Sequence, residues 1–255
     1  MSGRDGLSIA VLLPDVLGTY SDAGNAAVLA QRARWRGIDA DVVPVLAGDT
    51  PPASCDLYLL GGGEDTSQMF AVDWLAGQRD LLRAMSGSAV TFAVCAGLQI
   101  LGTTLVDENG HTRDGLGLLD LRTEPGRSRT VGELVSDCDI PGVGPLTGFE
   151  NHRGITTLGP DARPLGRVRH GIGNGTRRPA VDGAIQGRVV ATYMHGPALA
   201  RNPALADHLL RRASGLPFDD AGLPDVPDMP ALRRGYLTGA DRPTSAARAA
   251  RRGRR

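Results

Sequence analysis

Cys95 sits in the stretch AVTFAVCAGLQILG, Ala89 to Gly102, between two apolar segments of different period. The segment before it, short and partly β-branched, reads as a buried strand, and LQILGTTL after it reads as the start of a helix. Cys-Ala-Gly is then a tight turn between the two, with Ala96 and Gly97 small enough to permit it. A thiol there lies at the carboxyl edge of an open α/β sheet, where such folds place their sites. It also lies at a helix N-terminus, whose partial positive charge favours thiolate. The logic is that of a nucleophile elbow with cysteine in place of serine. The alternative is a core filler, because free cysteines are commonly buried.

A thiolate nucleophile needs a group that shuttles protons. Five histidines are available, His111, His152, His170, His195 and His208. His195 follows VVATYM and precedes Gly196 and Pro197, so it should emerge at a strand end, the better place for a base. His208 lies within a helical pattern, and His111 and His170 lie in Gly-rich loops, which suit structural or exposed roles. His152, in GFENHRG, is the competitor. An oxyanion hole is the third requirement, and LLGGGEDTSQ places Gly61, Gly62 and Gly63 just after another strand.

The elements that must carry these groups follow from patterning. LSIAVLLP, DADVVPV, CDLYLLGGG and SAVTFAVCAG read as strands, and AGNAAVLAQRARWRG, closed by Gly37, and DWLAGQRDLLRAM read as helices. This βαβ rhythm predicts an α/β fold with a doubly wound, mostly parallel sheet flanked by helices. From Val106 to Gly187 the pattern turns Gly-rich, with short strands such as VGELVSD and ITTLG expected as antiparallel additions and loops. GRVVATYMHG reads as a late strand, and NPALADHLLRRAS as a helix capped by Asn202 with Pro203 at its first position. We expect one domain over residues 1–215 and a flexible, Pro/Gly-rich then Arg-rich tail over 216–255. The tail's alternative is an electrostatic contact with a partner or an anionic membrane surface.

Composition excludes several chemistries. The chain of 255 residues has 41% hydrophobic residues and zero formal net charge, which argues for a soluble protein and against a nucleic-acid binder. It contains no lysine, so a Walker A loop and Schiff-base catalysis are both excluded. Cys55, Cys95 and Cys138 are too dispersed for a zinc set and suggest free thiols in a reducing compartment; no metal site is expected. The N-terminal apolar run stops at Pro14 and Asp15, too short for a signal or membrane span, so the cytoplasm is the expected location.

Together LLPDVLGTYSDAGNAAVLAQRARWRG, LLGGGEDTSQ, CAGLQILG and GFENHRG resemble the class I glutamine amidotransferases of the CobB/CobQ-like branch. Within it the chain is similar to the GatD-type glutaminase subunits of lipid II isoglutaminyl synthases, from about Ile9 to His208. The resemblance implies that Cys95 attacks the side-chain amide of L-glutamine and that His195 protonates the leaving ammonia, then activates water. It implies an oxyanion hole from Gly62 or Gly63 with the Ala96 amide. It places Arg129, in RSRTVGEL, on the substrate carboxylate, with Arg127 ranked second. Gln99 is either a pocket residue or an ordinary helix residue. Pro197 stands where other branches carry a glutamate after the histidine, so the third catalytic group is expected from Glu150, Asp65 or a partner's carboxylate.

By the same resemblance the chain needs no cofactor of its own. ATP belongs to a MurT-like Mur ligase partner in a heterodimer, which amidates the D-glutamate of lipid II, so the membrane is met only through the lipid-linked substrate. The other readings are a stand-alone cysteine hydrolase of γ-glutamyl hydrolase or peptidase type, a binding module with a decayed site, and a glutaminase for another amidation such as that of cobyrinate.

Overall fold

Short buried strands alternate with helices through the first 100 residues, as the hydrophobic period requires. A computed structural model describes residues 6–18, 20, 22–52, 54–107, 109–175, 179–218, 223 and 229–240. In chain order β1 (Gly6–Leu12), α1 (Gly24–Arg34), β2 (Asp39–Val45) and β3 (Leu57–Leu60) come first. They are followed by α2 (Asp65–Ala76), α3 (Arg79–Ser86), β4 (Val90–Val94) and α4 (Ala96–Ile100). The stretch expected as one helix around DWLAGQRDLLRAM is thus two, α2 and α3. Gly77 closes the first, and Gln78 takes a non-helical conformation between them (φ −98°, ψ 67°).

The middle of the chain departs further from expectation. After β5 (Thr104–Val106) and β6 (Thr112–Asp114) come two long strands, β7 (Leu121–Cys138) and β8 (Pro145–Leu158), paired antiparallel along most of their length. The glycines that suggested loops serve close packing here. A Cβ on Gly126 would lie 2.7 Å from the Arg153 carbonyl, and one on Gly148 would collide with Met194. The chain continues through β9 (Gly166–His170), which carries His170 in a strand rather than a loop, β10 (Val181–Asp182), β11 (Ala184–Gln186) and β12 (Val189–Thr192). It ends in α5 (Ala198–Arg201), α6 (Pro203–Ser214) and α7 (Met229–Ala240).

The central sheet has the order β11-β12-β4-β3-β1-β2. All its pairings are parallel except β11 with β12, so β1, β3, β4 and β12 end at the same edge. β3, β4 and β12 are buried at every residue, as both-face coverage by helices demands. A second sheet, β10-β9-β7-β5-β6 with β8 on β7, is mostly antiparallel. It meets the first where Phe149 and His195 exchange backbone hydrogen bonds of 3.2 and 2.8 Å.

Asn202 precedes α6 as expected, but its side chain does not cap the helix. It accepts from Thr147 N at 2.9 Å and donates to Thr147 O and Ala198 O at 2.8 Å, tying β8 to the start of α5. Part of the expected flexible tail is ordered as α7. Arg233 donates to Arg201 O and Asn202 Oδ1, and the Arg201 guanidinium lies 3.6 Å above the Tyr236 ring. The Arg-rich end, residues 241–255, lies outside the described residues. Among the described residues no helix is long and apolar enough to cross a membrane.

α1 and α6 are joined by a buried charge cluster. Asp207 receives Arg32 bidentately at 2.7 and 2.6 Å and Arg36 at 3.0 Å. Removing the carboxylate leaves buried positive charge uncompensated, which costs about 3–5 kcal/mol. Asp207→Ala should therefore lose about that much stability in urea unfolding, and Asp207→Asn, which removes the same charge, should lose much of it too; a loss under about 1 kcal/mol for the alanine variant would show the cluster to be solvated.

Candidate active site

Cys95 follows the last residue of β4 and is held in a backbone conformation that side chains avoid, φ +52° and ψ −106°. Such a residue costs on the order of 1–3 kcal/mol and persists only where its surroundings over-determine it. Here they do. The Cys95 amide donates to Thr192 O at 2.9 Å and the Gly97 amide to Gly61 O at 3.1 Å. Gly97 is obligatory, because a Cβ there would sit 2.8 Å from Leu60 Cβ and 3.0 Å from the Leu60 carbonyl. The sharp turn leaves the thiol 4.0 Å from the Asn151 carbonyl, at the wall of a cleft shared with His195 and Arg129. α4 is only five residues long, shorter than LQILGTTL implied, because the chain turns at Gly102 into β5. Its dipole is correspondingly small, and the larger positive charge near the thiol belongs to His195.

His195 lies beyond the end of β12, lines the same cleft and is 1% exposed. Its Nδ1 is 2.9 Å from Asp22 Oδ2, and the same oxygen accepts the Gly62 amide at 2.8 Å. The Tyr20 ring packs edge-on against the imidazole with centroids 4.9 Å apart. Burial works against a charge on His195, but the hydrogen bond to Asp22, followed by the influence of Cys95, outweighs it and pushes the pKa up to about 10. Hydrogen bonding and charge from Cys95 add to those from Asp22 in raising the proton affinity.

The orienting carboxylate is therefore Asp22, which corrects the three expected sources. Glu150 is spent elsewhere, accepting Ile172 N and Gly173 N at 2.8 Å and facing His152 at 3.4 Å. Asp65 sits in the first turn of α2, in the cleft lining but not on His195. Asp22 was missed because a lone aspartate in TYSDAGN carries no spacing signal toward a histidine 173 positions away. The available hint was topological: the segment follows β1 and so lies at the carboxyl edge with the other loops.

The remaining expected residues divide. Gly62 has its N–H committed to Asp22, so its structural contribution is to fix that carboxylate, leaving the Gly63 and Ala96 amides as the candidate oxyanion donors. A Cβ on Gly62 would also meet His195 Cε1 at 2.5 Å. Arg129 lines the cleft from an irregularity in β7 between Pro125 and Thr130 and donates to Asn151 Oδ1 at 3.0 Å; Arg127 does not line it. Gln99 also lines the cleft and is fully engaged, accepting from Gln68 at 2.7 Å and donating to Tyr193 OH at 3.0 Å. His152 lines the same cleft, but its ring is stacked on Tyr193 with centroids 3.9 Å apart and its Nδ1 is held 3.0 Å from Gly154 O. Burial, then Arg212 and its neighbours, lower His208 to about 4, and His111 is exposed beside Asp107. Among the described residues no three His, Cys, Asp or Glu side chains converge as a metal site.

Comparison with known proteins agrees with this geometry. Residues 8–203 match the CobB/CobQ-like glutamine amidotransferase domain. The chain is 34% identical over 220 residues to the GatD subunit of the glutamine-hydrolysing lipid II isoglutaminyl synthase of Staphylococcus aureus strain N315, covering 84% of this chain and 88% of that one. It is 32% identical over 223 residues to the corresponding subunit of Streptococcus pneumoniae strain R6, covering 84% of each. A solved structure described as a glutamine amidotransferase shares the fold, with a TM-score of 0.55, 24% identity and coverage of 81% of this chain and 98% of that one.

The Asp22–His195 pair makes a signed prediction. His195 holds its proton more tightly folded than unfolded, so its stabilising contribution is complete below about pH 6.5 and is lost as pH rises toward about 10. Asp22→Asn removes the largest raising influence and leaves burial to depress the pKa. The decline in stability between those pH values should then flatten, and the alkaline limb of activity should move to lower pH, with a rate loss of about 10²–10⁴. An unshifted alkaline limb would remove Asp22 from the site.

Proposed function

The chain belongs to the CobB/CobQ-like glutamine amidotransferase domain family, and from that membership we propose that it is the glutaminase subunit of a lipid II amidating enzyme. It hydrolyses L-glutamine to glutamate and ammonia, and the ammonia serves a MurT-like, ATP-dependent Mur ligase that converts the D-glutamate of lipid II to D-isoglutamine. The observation that carries the first half is the convergence on one cleft of a strained thiol, a buried His195–Asp22 pair and Arg129 at the rim. The second half is supported by the similarity to GatD subunits over most of both chains.

The high proton affinity of His195 sets the order of steps. It lets Nε2 take the thiol proton of Cys95, which then attacks as thiolate beside the imidazolium so formed. Its sulfur bonds to the amide carbon of glutamine, and the carbonyl electrons move onto oxygen, where the Gly63 and Ala96 amides donate. His195 then gives its Nε2 proton to the amide nitrogen, the C–N bond breaks, and ammonia leaves a glutamyl thioester on Cys95. Neutral His195 next takes a proton from water, whose oxygen attacks the thioester carbon. The thiolate departs with the electrons of the C–S bond, glutamate is released, and the imidazolium is restored. Asp22 holds Nδ1–H throughout, which keeps Nε2 turned to the reacting atoms.

Arg129 binds the substrate carboxylate, for which its forked donors are suited. The chain contains no lysine for a Walker A phosphate loop, which agrees with activation of the acceptor on the ligase subunit.

Cys95→Ala in the complex should abolish glutamine-dependent amidation of lipid II while leaving amidation with added ammonium salt intact; loss of both would assign Cys95 a structural role. Arg129→Ala should raise the KM for glutamine about 10–100-fold with a smaller change in kcat, as expected for losing a charged hydrogen-bonding partner. An unchanged KM would remove Arg129 from the binding site.

A further inference from the structure

We propose that Glu64 receives the α-ammonium group of the glutamine whose α-carboxylate Arg129 binds, so that the two side chains form a clamp for an amino-acid zwitterion at the cleft mouth. The inference rests on the glutaminase reading above and names the residue that gives it amino-acid specificity.

Glu64 and Arg129 come from different elements, the loop before α2 and the irregular part of β7, and both line the cleft that contains Cys95. Arg129 Nη2 lies 3.4 Å from Glu64 Oε2, while Nη1 donates to Asn151 Oδ1 at 3.0 Å. Asn151 thereby holds the guanidinium in place whether or not Glu64 does, and its backbone carbonyl is the atom next to the Cys95 thiol. The distance from thiol to clamp is therefore set within one residue of β8.

Glu64 stands at the N-cap position of α2, where a side chain ordinarily turns back to bond its own helix, yet it makes no such bond. Its carboxylate is directed to Arg129 instead. The other carboxylates of the cleft are committed. Asp107 accepts the amides of Asn109 and His111 and the His111 ring, Glu124 pairs with Arg122 at 2.7 Å, and Asp65 has an interaction of its own. Among the described residues the Glu64 side chain has only the Arg129 contact, and that pair is largely solvent-exposed, with side chains 67% and 47% accessible.

An exposed ion pair contributes little to stability, so exchanging it for substrate costs little. L-Glutamine carries a cation and an anion on one carbon, at the end of the molecule opposite its amide. Entering between the two side chains, it turns one ion pair into two and leaves no charge unmatched, with the amide reaching toward Cys95. An arginine alone would accept any ω-amide of a carboxylic acid. The added carboxylate selects the one bearing an α-amine and fixes which way round it lies, the positioning on which reaction at a set distance depends.

The test uses the assembled complex with its ligase and compares L-glutamine with glutaramate, which has the same amide and carboxylate and hydrogen in place of the amine. Wild type should prefer L-glutamine. Glu64→Gln should lower kcat/KM for L-glutamine about tenfold, as for loss of one charged hydrogen bond, and lower it much less for glutaramate, narrowing the preference by about the same factor. Glu64→Asp should recover part of the preference. An unchanged preference in Glu64→Gln, or an equal fall on both substrates, overturns the proposal, since a purely structural residue cannot sense the amine. Failure of the wild-type complex to hydrolyse glutamine at all would instead sink the glutaminase reading.

Discussion

One carboxylate oxygen organises the site. Asp22 Oδ2 accepts both the Gly62 amide and the His195 ring, so a single atom joins the loops that follow β1, β3 and β12. Those strands lie parallel in the central sheet and end at the same edge, which is why such distant segments can meet. The approach is close enough that only glycine fits at position 62. A pair this deeply buried loses its hydration and is held only by good geometry and additional hydrogen bonds. The fold supplies that geometry through neighbouring ties, such as Asn25 Oδ1 accepting the Leu199 amide at 2.9 Å, which fixes the start of α1 against α5.

The second sheet is the other half of the cleft. β8 reaches the carboxyl edge of the central sheet through the Phe149–His195 bridge, so the residue that carries the imidazole is clamped on its backbone as well as on its ring. From there the alternation of the strand distributes work. Glu150 points into a buried network that fixes Ile172 and Gly173, Asn151 faces the thiol and Arg129, and His152 packs on Tyr193. Tyr193 in turn bonds Thr156 at 2.6 Å and Gln99, tying the floor of the cleft to the helix that begins at the elbow.

What could be read in the sequence was what local patterning encodes. Cys95 between a buried strand and a small-residue turn, the Gly61–Gly63 loop and His195 beyond a late strand were all legible, because each sits at a boundary between hydrophobic periods. Arg129 was legible only through family resemblance. The long β7–β8 hairpin was not, since its glycines look like loop residues until the strands they press against are known. Asp22, Asn151 and Glu64 were hidden for a related reason: their partners are 173, 22 and 65 positions away, and no local pattern encodes such pairings. Asn202 shows the converse, a residue of the right type at a cap position whose side chain is drawn into a tertiary staple instead.

The site also holds two of the buried polar atoms that lack a hydrogen-bond partner at bonding distance among the described residues, Asp22 Oδ1 and His195 Nε2. His195 shares its cleft with a cysteine in a strained conformation. Buried polar side chains beside them, Glu150, Gln99 and Tyr193, are bonded within the protein. Strain and unsatisfied groups of this kind subtract from stability, so the site keeps them at a cost to the fold. Nε2 is the atom that must exchange a proton with a departing amine and then with water, and any permanent partner would have to be displaced at each step. Asp22, bonded to the opposite side of the ring, keeps the imidazole fixed in direction through those exchanges.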